Sequence, residues 1–157
     1  MQKIITSLWF DGNAEEAVHF YISLFENSAI TGIGRYSEEG PGIPGSVMTM
    51  QFTLDGQEFM AINGGADFKF TPAISMFVNC ETQEEVDFLW EKLLDGGEAE
   101  QCGWVMDRFG LSWQIVPTLL GKLMSDPNPQ KVAAVSKAML QMIKLDCRLL
   151  QDAYDQV

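Results

Sequence analysis

Two stretches of this chain, 69 positions apart, carry the same succession of structural signals. In the first, Ile4–Phe10 alternates as a strand, and Asn13 stands as an N-cap with Glu16 at capping-box spacing. Ala17, Phe20, Tyr21, Leu24 and Phe25 then fall on one face of a helix over 14–25. In the second, Ala73–Asn79 reads as a strand and Thr82 with Glu85 repeats the cap. Val86, Leu89, Trp90, Leu93 and Leu94 repeat the face before Gly96-Gly97 ends the helix. The same offset sets Glu15-Glu16 over Glu84-Glu85 and Tyr21 over Trp90. Strands follow at 30–36, 47–54 and 58–63 in the first half, with Asp55-Gly56 as a hairpin signal. In the second half they fall near 98–102, 104–107 and 111–116, with a turn at 108–110. The pattern is βαβββ written twice, an internal duplication in an α+β chain.

This reading sets one module at about 1–65, a second at about 72–117 and a helical extension over about 118–157. Pro127 and Pro129 break the chain, after which 131–144 reads as a helix with Val132, Val135, Met139, Met142 and Ile143 on one face. Residues 147–154 continue the helical pattern. That stripe fits core packing or a subunit contact.

A formal charge of −12, with ten basic residues against 22 acidic ones, excludes a nucleic-acid partner, which needs cations to displace phosphate counterions. No run approaches the ~20 apolar residues of a membrane span, and the amino terminus does not read as a signal peptide. Cys80, Cys102 and Cys147 form no Cys-x-x-Cys pair and are odd in number, which suits reduced thiols in a cytoplasmic protein.

The opening Ile-Ile-Thr-Ser-Leu-Trp-Phe-Asp-Gly-Asn-Ala-Glu-Glu-Ala-Val-His-Phe-Tyr (4–21) resembles the PhnB-like branch of the vicinal oxygen chelate superfamily. That superfamily also holds glyoxalase I, bleomycin-resistance proteins and extradiol dioxygenases. Val-Asn-Cys-Glu-Thr-Gln-Glu-Glu-Val (78–86) and Phe-Gly-Leu-Ser-Trp-Gln-Ile-Val-Pro (109–117) are similar to the same branch. The resemblance implies paired βαβββ modules forming a cupped mixed sheet, and usually a homodimer. The branch is often described as 3-demethylubiquinone 3-methyltransferase-like.

The resemblance also implies four positions where superfamily enzymes bind a divalent metal, two in each half. The first-strand position falls at Thr6, which the 69-residue offset carries onto Ser75. The last-strand position matches Gln114, which pairing Gly56 with Gly110 carries onto Met60. Two hydroxyls, a thioether and an amide make a poor dication site, because such sites use imidazoles and carboxylates. The single histidine, His19, lies on the first helix, and Glu58 is one carboxylate without company. No metal and no cofactor are therefore expected.

Gly40-Pro-Gly-Ile-Pro-Gly45 spells G-x-G-x-x-G, but a strand rather than a helix follows it, so S-adenosylmethionine binding is not expected. Cys102, Ser75 and Ser112 lack a histidine base, and Asp107 belongs to a turn. What remains is a pocket for a small organic ligand. Strand alternation lines it with Thr6, Leu8, Met60, Ser75, Phe77, Asn79, Ser112 and Gln114, joined by Phe10, Ile62 and Val116. The expectation is a cytoplasmic, homodimeric small-molecule-binding protein with no nucleic-acid or membrane partner. The alternative is an enzyme of the same fold, an isomerase, lyase or transferase, with or without metal.

Overall fold

The computed structural model describes residues 2–157, which divide into a unit ending at Lys69 and a unit running from Phe70 to Val157. The first unit contains β1 (Thr6–Phe10), α1 (Ala14–Leu24), β2 (Ala29–Arg35), β3 (Val47–Leu54) and β4 (Gln57–Asn63). The second contains β5 (Ser75–Cys80), α2 (Gln83–Leu94), β6 (Glu98–Ala99), β7 (Trp104–Met106) and β8 (Ser112–Pro117). Three further helices follow: α3 (Thr118–Met124), α4 (Pro129–Leu140) and α5 (Cys147–Asp155). The strand order is β1-β4-β3-β2 in one unit and β5-β8-β7-β6 in the other. In both, the first pair is parallel and the hairpin pairs are antiparallel. The α+β class, the paired βαβββ modules and the C-terminal helices are those expected from the sequence.

Turn chemistry fixes both hairpins. Asp55 and Gly56 take φ of 49° and 79°, the left-handed pair that a two-residue connection between twisted strands demands. In the second unit a side chain does this work. Asp107 is buried, and its Oδ1 accepts from the main-chain N–H groups of Phe109 and Leu111 at 2.8 and 3.1 Å. Its Oδ2 accepts from the Trp113 indole at 2.9 Å, which ties the turn to β8.

The two helices begin differently. Thr82 Oγ1 accepts from the Glu85 N–H at 3.1 Å, as the capping signal predicts. Asn13 occupies the corresponding place before α1, but its side chain caps nothing. Asn63, at the end of β4, takes over: its Oδ1 accepts from Ala14 N–H at 2.9 Å. Its amide nitrogen donates to the Val47 carbonyl at 3.0 Å and to Glu15 at 3.1 Å. A buried amide that satisfies three groups at once displaces a local cap that would satisfy one. The apolar faces then seat the helices. Ala14, Ala17, Val18, Tyr21 and Leu24 are buried on α1, with Phe20 and Phe25 half-buried at the edge of that face. On α2 the buried set is Val86, Leu89, Trp90 and Leu93.

The C-terminal helices are built into the second unit. Leu120 and Leu123 of α3 pack with Val116, Val135, Leu145 and Leu150 in one apolar cluster. The predicted helix over 131–144 stops at Leu140 instead. Beyond it the carbonyls of Met142 and Ile143 accept from the N–H groups of Cys102 and Gly103 at 2.9 and 2.7 Å. These tertiary bonds replace the helical ones, and Ile143 ends up exposed rather than on a buried face. Gln83, at the start of α2, accepts from Cys147 N–H at 2.7 Å and donates to the Leu145 carbonyl at 3.1 Å. Lys144 and Asp87 pair at 2.8 Å, and the bond from the lysine holds the Asp87 carboxyl below its ordinary range.

Candidate functional site

Helix α2 covers one face of the second sheet, where Val105, Trp113 and Ile115 are buried. Register fixes what stands on the other. Phe77, Gln114 and Trp104 form one row across β5, β8 and β7, with Ser75, Ser112 and Met106 in the row on one side. Asn79 and Val116 form the row on the other side. Gln114 donates from its amide nitrogen to Ser75 Oγ at 2.9 Å, so these two polar groups partly satisfy each other.

Pro117 sends the chain from β8 straight into α3, and this sharp exit raises a wall beside the sheet. Between wall and sheet lies a cavity of about 620 Å³, within the size range of small-ligand pockets. The sheet supplies Phe77, Asn79, Trp104, Gln114 and Val116. Helix α3 supplies Thr118, Leu120, Gly121, Lys122 and Met124, and α4 adds Met139. Lys122 is the single charged residue of this lining.

Cys102 also reaches the cavity, from a backbone held at φ 59° in the left-handed region, which costs a non-glycine residue about 1 kcal/mol. The Met142–Ile143 bridge holds it there. Cys80 differs: it is fully buried, and that burial, with lesser help from Glu85, pushes its thiol up to about 12. Burial raises the Cys147 thiol as well, with Asp146 adding to it. Reactivity follows thiolate content and access. Maleimide labelling of native protein at about pH 8, read by peptide mass spectrometry, should therefore modify Cys102 and leave Cys80 untouched. Equal labelling of the two would refute the packing around Cys80.

Of the residues expected to line a pocket, Phe77, Asn79, Gln114 and Val116 meet at this cavity. Ser75 stands beside them, bonded to Gln114. Ser112 shares their face but is fully buried outside the lining, and its hydroxyl has no hydrogen-bond partner among the described residues. The first-half residues part company. Met60 and Ile62 are half-buried on the face away from α1, whereas Leu8 and Phe10 are buried on the α1 side, where Phe10 meets Tyr21. Thr6 shares the side of Leu8, and the residues paired with Met60 and Ile62 are Ser7 and Trp9. Thr6, Leu8 and Phe10 are thus corrected to the opposite face from Met60. Thr118, Lys122 and Met124 were missed because the helical extension from about 118 was read as core packing or a subunit contact and not as a cavity wall. Leu119, Leu120 and Leu123, at helical spacing just after Pro117, were the available signal.

The sequence model of the family 3-demethylubiquinone-9 3-methyltransferase matches residues 2–116. The chain belongs to this family. A PhnB protein from Bacillus cereus, provisionally described as a 3-demethylubiquinone-9 3-methyltransferase, is 46% identical. The match covers 74% of this chain and 99% of that one, with a TM-score of 0.68. Protein PA1353 from Pseudomonas aeruginosa is 18% identical over 74% of this chain and 98% of its own, at a TM-score of 0.63, a likeness of fold alone. No curated protein matches. The PhnB-like resemblance read from the sequence is borne out. The matched part of the 3-demethylubiquinone-9 3-methyltransferase family stops at 116, so α3 and α4, which wall the cavity, lie past it.

The four positions to which the sequence resemblance assigns metal ligands, Thr6, Met60, Ser75 and Gln114, carry donors poorly suited to a divalent ion. Thr6 and Met60 stand on opposite faces of one sheet, and the Gln114 amide is bonded to Ser75. Glu58, on the Met60 side, accepts from the Gln2 main-chain N–H at 3.1 Å. None of the four is an imidazole, thiolate or carboxylate, the donors a divalent ion selects. Nor does the glycine-rich stretch 40–45 precede a helix. It connects β2 to β3 and wraps Tyr36, whose ring stands 2.5 Å from where a Cβ on Gly42 would lie.

Proposed function

We propose that this family member holds a small organic molecule in the cavity between the second sheet and α3–α4, without a metal ion. The carrying observation is the lining itself: two aromatic rings, two methionines and aliphatic side chains, with the Asn79 and Gln114 amides as the polar points of the floor. Such a mixture orients a partly apolar guest through a few hydrogen bonds and leaves most of the affinity to burial. It offers no paired acid and base, and the cysteine at its rim has no histidine beside it for nucleophilic work.

The family's methyltransferase description is not carried over as an activity, since the glycine loop lacks the following helix that would receive a nucleoside cofactor. A cytoplasmic homodimer belongs to the same reading. All three cysteines are free, which suits a reducing compartment. Light scattering should return twice the chain mass, and a monomer would contradict that part.

The main test is a thermal-shift screen of chelator-treated protein against small aromatic and amphipathic compounds. A ligand at a hundred times its Kd should stabilise by about 2.7 kcal/mol. Gly121→Phe should abolish that shift, because a Cβ at Gly121 meets nothing within 4 Å and the ring would occupy cavity space. Gln114→Leu should diminish it. Stabilisation that appears only with added divalent metal, or that survives Gly121→Phe, would overturn the proposal.

A further inference from the structure

The lining has a charge anomaly. Acidic residues outnumber basic ones 22 to 10 in this chain, yet the cavity is lined by no acid and one base, Lys122. Its ammonium meets no carboxylate among the described residues. The acid one turn further along, Asp126, is occupied by the Tyr154 hydroxyl and the Asn128 N–H. Thr118 lies one turn before Lys122 and also lines the cavity, so α3 presents a hydroxyl and a cation on one face. Across from them stand Phe77 and Trp104 on the sheet.

We infer that the molecule held here is a singly charged organic anion, a carboxylate or sulfonate on an aromatic or aliphatic body, with its head group at Lys122 and Thr118 and its body on Phe77 and Trp104. This inference rests on the cavity reading above and adds the ligand class to it. A charge-assisted bond from Lys122 at the rim of an apolar cavity is stronger than a neutral one. As the one charged residue of the lining, Lys122 is the electrostatic foothold an anion finds there, against the net negative charge of the chain. The head-group residues Thr118 and Lys122 sit in α3, beyond the stretch matched by the family, whereas Phe77 and Trp104 lie within it, so the preference for an anion comes from the part of this chain past the matched modules.

Two fluorescent probes with the same rings separate head group from body: anilinonaphthalene sulfonate and uncharged phenylnaphthylamine. Titrated into the full chain, the sulfonate should lose roughly tenfold in affinity in Lys122→Met, recover in Lys122→Arg, and weaken with added salt. The amine should bind wild type and Lys122→Met alike. Lys122 is exposed, so neither substitution threatens folding. Equal sulfonate affinity in wild type and Lys122→Met overturns the anion inference and leaves the cavity standing. Gly121→Phe reports on the cavity separately: if it displaces neither probe, the cavity reading fails and the inference with it.

Discussion

Asp107→Ala should cost roughly 3–5 kcal/mol in chemical denaturation, the largest loss expected from any single side chain described above. The carboxylate is 2% exposed and receives two main-chain N–H groups and one indole N–H. Truncation leaves those donors buried or half-buried without their acceptor, and each unsatisfied donor carries a desolvation penalty. Asp107→Asn should cost less, about 1–2 kcal/mol, because one oxygen still serves the turn while an amide N–H is turned toward the indole. Trp113→Phe should then be cheaper in the Asn background than in wild type, the signature of a direct pair in a double-mutant cycle. A loss below about 1 kcal/mol for Asp107→Ala would show that the turn holds without its carboxylate.

The second large effect belongs to Gly97. A Cβ there would lie 2.1 Å from the Met106 carbonyl oxygen and 2.8 Å from that of Leu93. Both atoms are backbone, one at the end of β7 and one in α2, so neither can swing aside. Gly97→Ala should lose about 3 kcal/mol by forcing strand and helix apart. Its neighbour makes the control. Gly96 has the left-handed φ of 76°, but its Cβ would meet only the Arg108 side chain, at 3.1 Å. Gly96→Ala should therefore cost about 1–2 kcal/mol, the left-handed penalty alone. If the two substitutions cost the same in urea melts, the steric account of Gly97 is wrong.

The Gly96-Gly97 pair also marks how far local signals reach. A sequence reader sees two glycines ending a helix, and the one in the left-handed conformation is the expected terminator. The steeper constraint on its neighbour comes from a strand nine residues later and is invisible locally. The same holds at α1, where Asn13 looks like the cap and Asn63, brought in by β4, does the capping. Signals whose partners are near in sequence read correctly: the Asp55-Gly56 hairpin, the Thr82 cap and both helical faces.

The strand faces were legible in the second half, whereas in the first half β4 was read correctly and β1 was turned over. Pairing Ser7 with Met60 and Phe77 with Gln114 makes the strands correspond at an offset of 70, whereas the caps Asn13 and Thr82 correspond at 69. Between strand and cap the first unit holds Asp11 and Gly12, and the second holds Glu81 alone. An offset taken from the helices and applied to the strands is therefore wrong by one residue, and one residue turns a strand over. Thr6, placed by the family resemblance, stands one residue off the Met60 face and takes Leu8 and Phe10 with it; the offset, short by one, then carries it onto Ser75, so Ser75, Phe77 and Asn79 fall on the Gln114 face because the two errors cancel. A helical extension from about 118 was expected, but not the separate short helix that walls the cavity. Residues 118–124 bring neither a side-chain cap nor enough length to announce a helix, and their fold is dictated by the cluster they join.

Trimming this protein to the length it shares with its relatives would leave an open wound, not a clean edge. Severed after β8, the chain would strand the N–H groups of Cys102 and Gly103, take both main-chain partners from the Gln83 amide and bare Val116 to water. Gly103, at φ 86°, has Leu145 of the tail as well as the Ile115 carbonyl within about 3 Å of where a side chain would begin, so part of the pressure on this position comes from the tail. The appended helices cannot be gained or shed as a removable ornament. Positions 83, 102 and 103 are where their loss would be felt first.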